Sequence, residues 1–194
     1  MNEVRRANPR RILDVATGTG DLAIALARRI RDVQVMGVDL SEEMLAVARR
    51  KVEARGLDSR IVLERGDAEH LEVADASVDA ATVAFGVRNF GDLAAGLREL
   101  ARTIRPGGKV VILEFSRPRN RVFRALYEFY SYKILPRIGG LVSRDKRAYE
   151  YLPASVGEFP APAEFLGMME KAGFRNCRAK SQSCGIAQIY IGER

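Results

Sequence analysis

A glycine-rich stretch near the start of the chain has the residue types of a nucleotide-binding turn. An apolar run at residues 11–15 contains Asp14, and Gly18 and Gly20 follow it. Residues 22–30 then place apolar side chains on one face at helical spacing. Glycine lets a ligand approach the main chain closely, and a helix N-terminus presents unpaired N–H groups. The pattern therefore predicts a strand, a ligand-binding turn and a helix.

Acidic residues follow the next two predicted strands in a similar way. Asp39 ends the apolar run 33–40, and Asp67 follows the run 60–65. Open α/β sheets bind ligands at the carboxyl ends of their strands, so Asp14, Asp39 and Asp67 are predicted to face one ligand. Each carboxylate taken singly is explained equally well as a turn or helix cap. Their recurrence at three strand ends favours the shared ligand.

The identity of that ligand depends on charge. The glycines match G-x-G-x-x-A, and Asp39 lies nineteen residues after Gly20, which permits a dinucleotide. Against this interpretation, the glycines lie several residues past the strand, and Asp21 follows them where a pyrophosphate needs a basic residue. Too little chain remains for a separate substrate domain. S-adenosylmethionine fits better, because it carries positive charge at sulfur and at its ammonium group, and it has no phosphate.

Each acidic residue has a predicted role toward this cofactor. Asp14 orients the glycine turn or accepts from the ammonium, directly or through water. Asp39 accepts from both ribose hydroxyls, since a carboxylate offers two oxygens. Asp67 accepts from the adenine amine, while the Ala68 N–H donates to the ring.

Strand and helix patterns alternate along most of the chain, which predicts a doubly wound α/β sheet. The last two strands are joined by a short connection, so the final strand is predicted to be antiparallel. We expect one domain over residues 1–194, with a helical insertion at about 117–160 after the fifth strand. The seven predicted strands are residues 11–15, 33–40, 60–65, 78–85, 109–115, 174–180 and 186–192. The predicted helices begin near residues 21, 42, 92 and 163.

Composition excludes several classes of protein. The 194 residues contain no apolar run near twenty residues and no signal peptide, so a cytoplasmic protein without a membrane span is expected. Cys177 and Cys184 form neither a disulfide framework nor a metal box and are expected in strands. The net charge of +7 is local, because residues 117–147 hold nine Lys/Arg and two Asp/Glu while the remaining residues carry 23 of each sign.

Short segments beyond the glycine turn resemble the ubiquinone/menaquinone biosynthesis C-methyltransferases, a family of class I methyltransferases that use S-adenosylmethionine. The most particular are F-G-x-R-N at 85–89, L-E-F-S-x-P at 113–118 and Y-x-Y-L at 149–152. The resemblance covers nearly the whole chain. It implies a Rossmann-like fold and methyl transfer to a ring carbon of a reduced, polyprenylated demethylquinone, demethylmenaquinol in the first place. S-adenosylhomocysteine would be the second product.

The resemblance also implies cofactor contacts at Thr19, Asp39, Asp67 and Ala68, and a further contact position at Ala84 where relatives can carry Ser. No metal site is predicted. The predicted cofactor site as a whole comprises Asp14, Gly18, Thr19, Gly20, Asp39, Leu40, Asp67, Ala68 and Ala84.

Candidate catalytic residues follow the fourth predicted strand. We hypothesise that Arg88 stabilises a developing phenolate and that Asn89 bonds a ring oxygen. The alternative for Arg88 is a pair with an acidic neighbour such as Glu114, itself a secondary site candidate. Tyr149 is predicted to form a hydrogen bond with a quinol oxygen. An equal alternative is that Tyr149 is an ordinary amphipathic residue in the wall of the site. His70, the only histidine, is expected to have a structural or solvent role on the adenine side.

The basic, aromatic insertion suits an interfacial helix on anionic lipid. Because the polyprenyl tail of the implied substrate lies in the membrane, peripheral docking at the inner face of the cell membrane is expected. A helical lid packed on its own domain is the alternative. Asp145, a secondary site candidate, lies in this segment. No nucleic-acid partner is expected, and a homodimer stays open.

The family usually has a helical segment before the first strand, and here about ten residues precede Ile12. One wall of the cofactor pocket is therefore expected to be absent. Three other functions stay open: a dual ubiquinone/menaquinone C-methyltransferase, an RNA or other small-molecule methyltransferase, and an inactive S-adenosylmethionine-binding module. The RNA enzyme is disfavoured, because no N-P-P-Y-like motif follows the fourth strand.

Overall fold

A computed structural model describes residues 2–6, 8–116 and 156–194. The strands in chain order are β1 (Arg11–Val15), β2 (Gln34–Asp39), β3 (Ile61–Arg65), β4 (Val78–Ala84), β5 (Ile104–Phe115), β6 (Arg175–Gln182) and β7 (Ala187–Glu193). The helices in chain order are α1 (Asn2–Arg5), α2 (Asp21–Arg29), α3 (Glu42–Glu53), α4 (Leu93–Thr103) and α5 (Pro162–Lys171). Single 3-10 turns occupy Val87–Asn89 and Ser183–Gly185.

The seven strands form one sheet in the order β3-β2-β1-β4-β5-β7-β6. The neighbours from β3 to β5 are parallel, whereas β7 runs antiparallel to both β5 and β6. The chain order changes direction between β1 and β4, and open α/β sheets bind ligands at such a switch point. The predicted fold class, a mostly parallel seven-stranded sheet with an antiparallel last strand, is confirmed.

Apolar side chains from alternate strand positions cover the two faces of the sheet. Leu13 and Val15 of β1 pack with the side of the sheet that α4 and α5 cover. Ile12 packs on the opposite side, together with α2. A strand buried on both faces explains why the run 11–15 is almost continuously apolar, and why Asp14 is an exception that needs partners.

Two local predictions were wrong. β5 begins at Ile104 rather than Lys109, because Ile104 pairs with Val78 before an irregularity in the β4 ladder. Cys184 is exposed in the second 3-10 turn at a φ of 56° rather than in a strand. Cys177 does lie in β6, half-buried, and burial raises the pKa of its thiol to about 11.

Most of the predicted insertion, residues 117–155, lies outside the described part of the chain. At its far end Phe159 packs against Phe165 of α5, with ring centroids 5.0 Å apart, and against Tyr190 of β7. Among the helices that the structure describes, none has the length and apolar character to cross a bilayer.

Candidate active site

A cavity of about 280 Å³ opens at the carboxyl ends of β1, β2, β3 and β4. Apolar walls from Val38, Leu40, Ala68 and Phe90 surround it, and acidic side chains lie between them. Its lining residues include three carboxylates, those of Asp39, Asp67 and Glu69, and no Lys or Arg among the residues that the structure describes.

The glycine turn takes the backbone shape that its sequence predicts. Gly18 and Gly20 have φ of 56° and 76°, in the left-handed region that favours glycine. Gly20 is the N-cap residue of α2, and a Cβ on it would lie 3.0 Å from the Cβ of Ala48 on α3. The turn therefore packs tightly against α3.

Asp39 connects that turn to the start of α3. One carboxylate oxygen accepts from the Gly18 N–H at 2.7 Å, and the other accepts from the Ser41 N–H at 2.9 Å. The Ser41 side chain in turn accepts from the Met44 N–H and caps the N-terminus of α3. Each carboxylate oxygen of Asp39 has a second lone pair for a ligand hydroxyl.

Asp14 is buried beneath the turn. Its two oxygens accept from the hydroxyls of Thr82, at 2.6 Å, and Thr17, at 2.7 Å. Burial raises the pKa of Asp14 to about 6, although both hydrogen bonds oppose the rise and the nearby Asp39 charge adds to it. Through Thr17, the residue before Gly18, these contacts connect Asp14 to the glycine turn, and its role toward a cofactor stays a prediction.

The loop after β3 forms the adenine side of the predicted site. Asp67 accepts from the Glu69 N–H at 2.9 Å through its side chain and from the His70 N–H through its carbonyl. Ala68 is buried, whereas Leu40 across the cavity is 60% exposed. His70 is exposed and contributes its backbone to this loop, in agreement with the structural role expected for it.

Arg88 has the partner that the alternative interpretation named. Its guanidinium donates to one carboxylate oxygen of Glu114 at 2.7 Å, and its backbone N–H donates to the other at 3.2 Å. The Phe115 N–H also donates to Glu114. The Glu114 side chain is fully buried and that of Arg88 is 10% exposed. Removing one member of such a pair leaves an uncompensated buried charge.

Aromatic rings flank this ion pair. Phe85 and Phe115 stack with ring centroids 4.3 Å apart, and the guanidinium carbon of Arg88 lies 5.5 Å from the Phe115 ring centre. Phe85 has a φ of 58°, which a bulky side chain rarely adopts. A Cβ on the next residue, Gly86, would lie 2.4 Å from that of Ala16. The F-G pair thus places the end of β4 directly against the end of β1.

The structure separates some residues that were predicted together. Asn89 lines the acidic cavity, but Ala84 lines a second cavity of about 460 Å³ on the α2 side of the sheet. The Thr19 hydroxyl bonds within the turn rather than lining the acidic cavity. Tyr149 and Asp145 lie outside the described residues.

Lys51 of α3 contacts the glycine turn, which the sequence did not reveal. Its ammonium lies 2.7 Å from an oxygen of Asp21, and this contact lowers the pKa of Asp21. Asp21 is therefore paired, so its charge does not by itself repel a phosphate. The acidic lining of the cavity is the stronger observation against a phosphate ligand.

The lining fits S-adenosylmethionine. Carboxylates at the ends of β2 and β3 suit a cationic ligand with a diol, and the apolar walls suit an adenine ring. Within the described ranges, no cluster of three His, Cys, Asp or Glu has the geometry of a metal site.

A sequence model of the ubiE/COQ5 methyltransferase family matches residues 1–194. A ubiquinone/menaquinone biosynthesis C-methyltransferase, UbiE, of Geobacter sulfurreducens is 46% identical over 98% of this chain and 75% of its own length. A demethylmenaquinone methyltransferase of Thermus thermophilus is 47% identical over 96% of this chain and 83% of its own length.

A solved structure shows a similar fold. A SAM-dependent methyltransferase from Aquifex aeolicus has a TM-score of 0.71 and 19% identity, covering 100% of this chain and 89% of that one. The family match over the full length and the identity of the curated relatives lead to one conclusion: this chain belongs to the ubiE/COQ5 methyltransferase family.

Proposed function

We propose that this protein transfers a methyl group from S-adenosylmethionine to a ring carbon of demethylmenaquinol. The observation that carries the proposal is the 47% identity with demethylmenaquinone methyltransferases across 96% of the chain. The acidic cavity supports the cofactor assignment independently, because its residues suit a cation with a ribose diol.

The cofactor supplies an electrophilic methyl group on a positively charged sulfur. The work left to the protein is alignment and the exclusion of water. Asp39 holds the glycine turn through the Gly18 N–H and keeps lone pairs for the ribose hydroxyls. Asp67 and Ala68 bind the adenine edge, and Leu40 and Phe90 form apolar walls of the same cavity.

The accepting carbon must be electron-rich, so the substrate reacts as a quinol and more readily as a phenolate. Arg88 stabilises that negative charge, and Asn89, which lines the cavity, bonds a ring oxygen. Glu114 holds the Arg88 guanidinium through the 2.7 Å contact, so the positive charge has a fixed position. Tyr149 is the third group in this proposal, in which it forms a hydrogen bond with a quinol oxygen.

A short-tail demethylmenaquinol and labelled S-adenosylmethionine test the reaction directly. The wild-type protein is expected to methylate the quinol and to leave the quinone unchanged. Arg88→Lys keeps a cation for Glu114, so the fold is retained, and we expect turnover to fall about 100-fold with cofactor affinity unchanged. Binding of the cofactor without methyl transfer to the quinol would identify a binding module and reject the proposal.

A short-tail benzoquinol that lacks the ring methyl group, used in the same assay, separates the two quinone classes. Three curated relatives carry the name ubiquinone/menaquinone biosynthesis C-methyltransferase with 45–46% identity over at least 98% of this chain, so the dual activity is the second candidate. Comparable turnover of both quinols would establish the dual enzyme.

Peripheral contact with the membrane is part of the same proposal. Residues 117–147 carry the whole excess of positive charge of the chain, and the proposed substrate has a polyprenyl tail. Co-sedimentation is expected to be stronger with anionic vesicles than with neutral ones and to weaken with salt. Equal binding to both kinds of vesicle would exclude this contact.

A further inference from the structure

We propose that Lys51 is a positioning residue for the cofactor, acting through the glycine turn. The inference rests on the proposed use of S-adenosylmethionine and goes beyond it, because Lys51 does not line the acidic cavity. It concerns how the turn is held, and its test measures ligand affinity first and kcat second.

The ammonium of Lys51 bonds three acceptors in the turn. It lies 3.0 Å from the Thr19 carbonyl oxygen, 3.0 Å from the Thr19 hydroxyl and 2.7 Å from one oxygen of Asp21. The Thr19 hydroxyl donates to the other oxygen of Asp21 at 2.9 Å. An ammonium has three N–H donors, so the geometry forms a closed ring of Lys51, Thr19 and Asp21.

The turn is held by its neighbours at two further points. Ala48, one helical turn before Lys51, lies against Gly20 so closely that a Cβ there would be 3.0 Å away. Before the first turn of α3, Asp39 at the end of β2 accepts from both the Gly18 N–H and the N–H of Ser41, the N-cap residue of α3. The turn is therefore held by α3 at Thr19 and Gly20 and by Asp39 at Gly18, so Lys51 is one of three neighbouring groups that fix its position.

Lys51 can act on ligand binding in two ways, which are distinguished by comparing ligands that differ in charge. As a positioning group it favours every ligand of the turn alike. As a nearby positive charge it would instead disfavour the sulfonium of S-adenosylmethionine relative to S-adenosylhomocysteine, whose sulfur is neutral. The 27% exposure of its side chain and its pairing with Asp21 weaken that second effect.

Titration calorimetry of Lys51→Met with both ligands tests the proposal. Methionine keeps the length and apolar stem of the side chain and removes the donors. We expect about tenfold weaker binding of both ligands, as for the loss of charge-assisted hydrogen bonds, with kcat at saturating cofactor within twofold of wild type. Lys51→Arg should recover part of the affinity, because it restores a cation to Asp21.

Lys109→Met is the matched control. Lys109 pairs with Glu193 at 3.2 Å, with a side chain 23% exposed, on strands away from the turn. The affinities of Lys109→Met for both ligands should equal those of the wild-type protein. The melting temperatures of Lys109→Met and Lys51→Met should be similar. Unchanged affinity in Lys51→Met, or a change confined to S-adenosylmethionine, would overturn the proposal. Wild-type binding without methyl transfer would reject the proposed function alone.

Discussion

The two halves of the candidate site are built differently. On the proposed cofactor side, carboxylates at the ends of β2 and β3 accept from backbone N–H groups of the loops after β1, β2 and β3, and they line an open cavity. On the proposed substrate side, Arg88 and Glu114 form a buried ion pair between β5 and the turn after β4. The guanidinium of Arg88 lies beside the Phe115 ring, which stacks on Phe85.

Because of this difference, substitutions in the first half should change mainly ligand affinity, and substitutions in the second half should also change stability. A half-buried carboxylate on a loop keeps lone pairs for a ligand, so its loss should affect binding more than folding. A buried carboxylate depends on the cation that compensates its charge, so loss of that cation should affect folding as well as catalysis. Variants in each half, ordered by expected effect, test this division.

Arg88→Ala should have the largest effect. It leaves Glu114 buried without its guanidinium, and we expect unfolding free energy to fall by about 3–5 kcal/mol. Arg105→Ala provides the comparison, because Arg105 is half exposed and its partner Asp79 keeps two backbone donors, so the loss should stay below about 1 kcal/mol. Urea denaturation measures both. Equal losses would show that burial does not distinguish the two pairs.

Asp14→Asn should change the pH dependence of stability. Because the pKa of Asp14 rises from 3.8 to about 6 on folding, the folded protein binds the proton more tightly between these values. This carboxyl therefore lowers stability as pH rises, by about 3 kcal/mol over its whole titration and by about 2 kcal/mol between pH 4 and 6. The advantage of Asp14→Asn over wild type should grow by that amount across the interval. Parallel denaturation curves from pH 4 to 7 would contradict the role of burial.

Asp39→Asn should weaken cofactor binding about 10- to 100-fold, since it removes an acceptor for a backbone N–H and for a ribose hydroxyl. Asp79→Asn is its control. Asp79 also accepts from two backbone N–H groups, those of Arg10 and Arg11, but at the start of β1. Asp79→Asn should lower the free energy of unfolding. Its affinity for the cofactor, measured by calorimetry, should equal that of the wild-type protein. Weakened binding in both variants would mean that general loosening, not ligand contact, explains the result.

Ser41→Ala should have the smallest effect. It removes the N-cap of α3, which contributes about 1 kcal/mol, and leaves the Asp39 carboxylate in place. Thermal unfolding should report this loss, whereas the affinity for S-adenosylhomocysteine should change less than threefold. A larger loss of affinity would show that the start of α3 also shapes the ligand site.

The sequence determined the strand ends, and with them the cofactor half. Hydrophobic runs, the glycine turn and the Ser41 cap depend on neighbours within a few residues, so their local physics is visible in the sequence. The prediction that Asp39 and Asp67 lie at the cofactor site followed from the rule that ligands bind at the carboxyl ends of parallel strands. The boundary of β5 was misjudged because its first residues join the sheet through the ladder with β4.

Only the tertiary structure decided which distant groups meet. The contacts between Asp14 and Thr82, between Lys51 and Asp21, and between Arg88 and Glu114 join residues that lie 68, 30 and 26 positions apart. Such pairs depend on strand register and on the angle at which a helix packs, and no local pattern specifies either. The sequence therefore determined which chemistry each strand end offers, and the packing of the sheet decided which charges stay available and which are already paired.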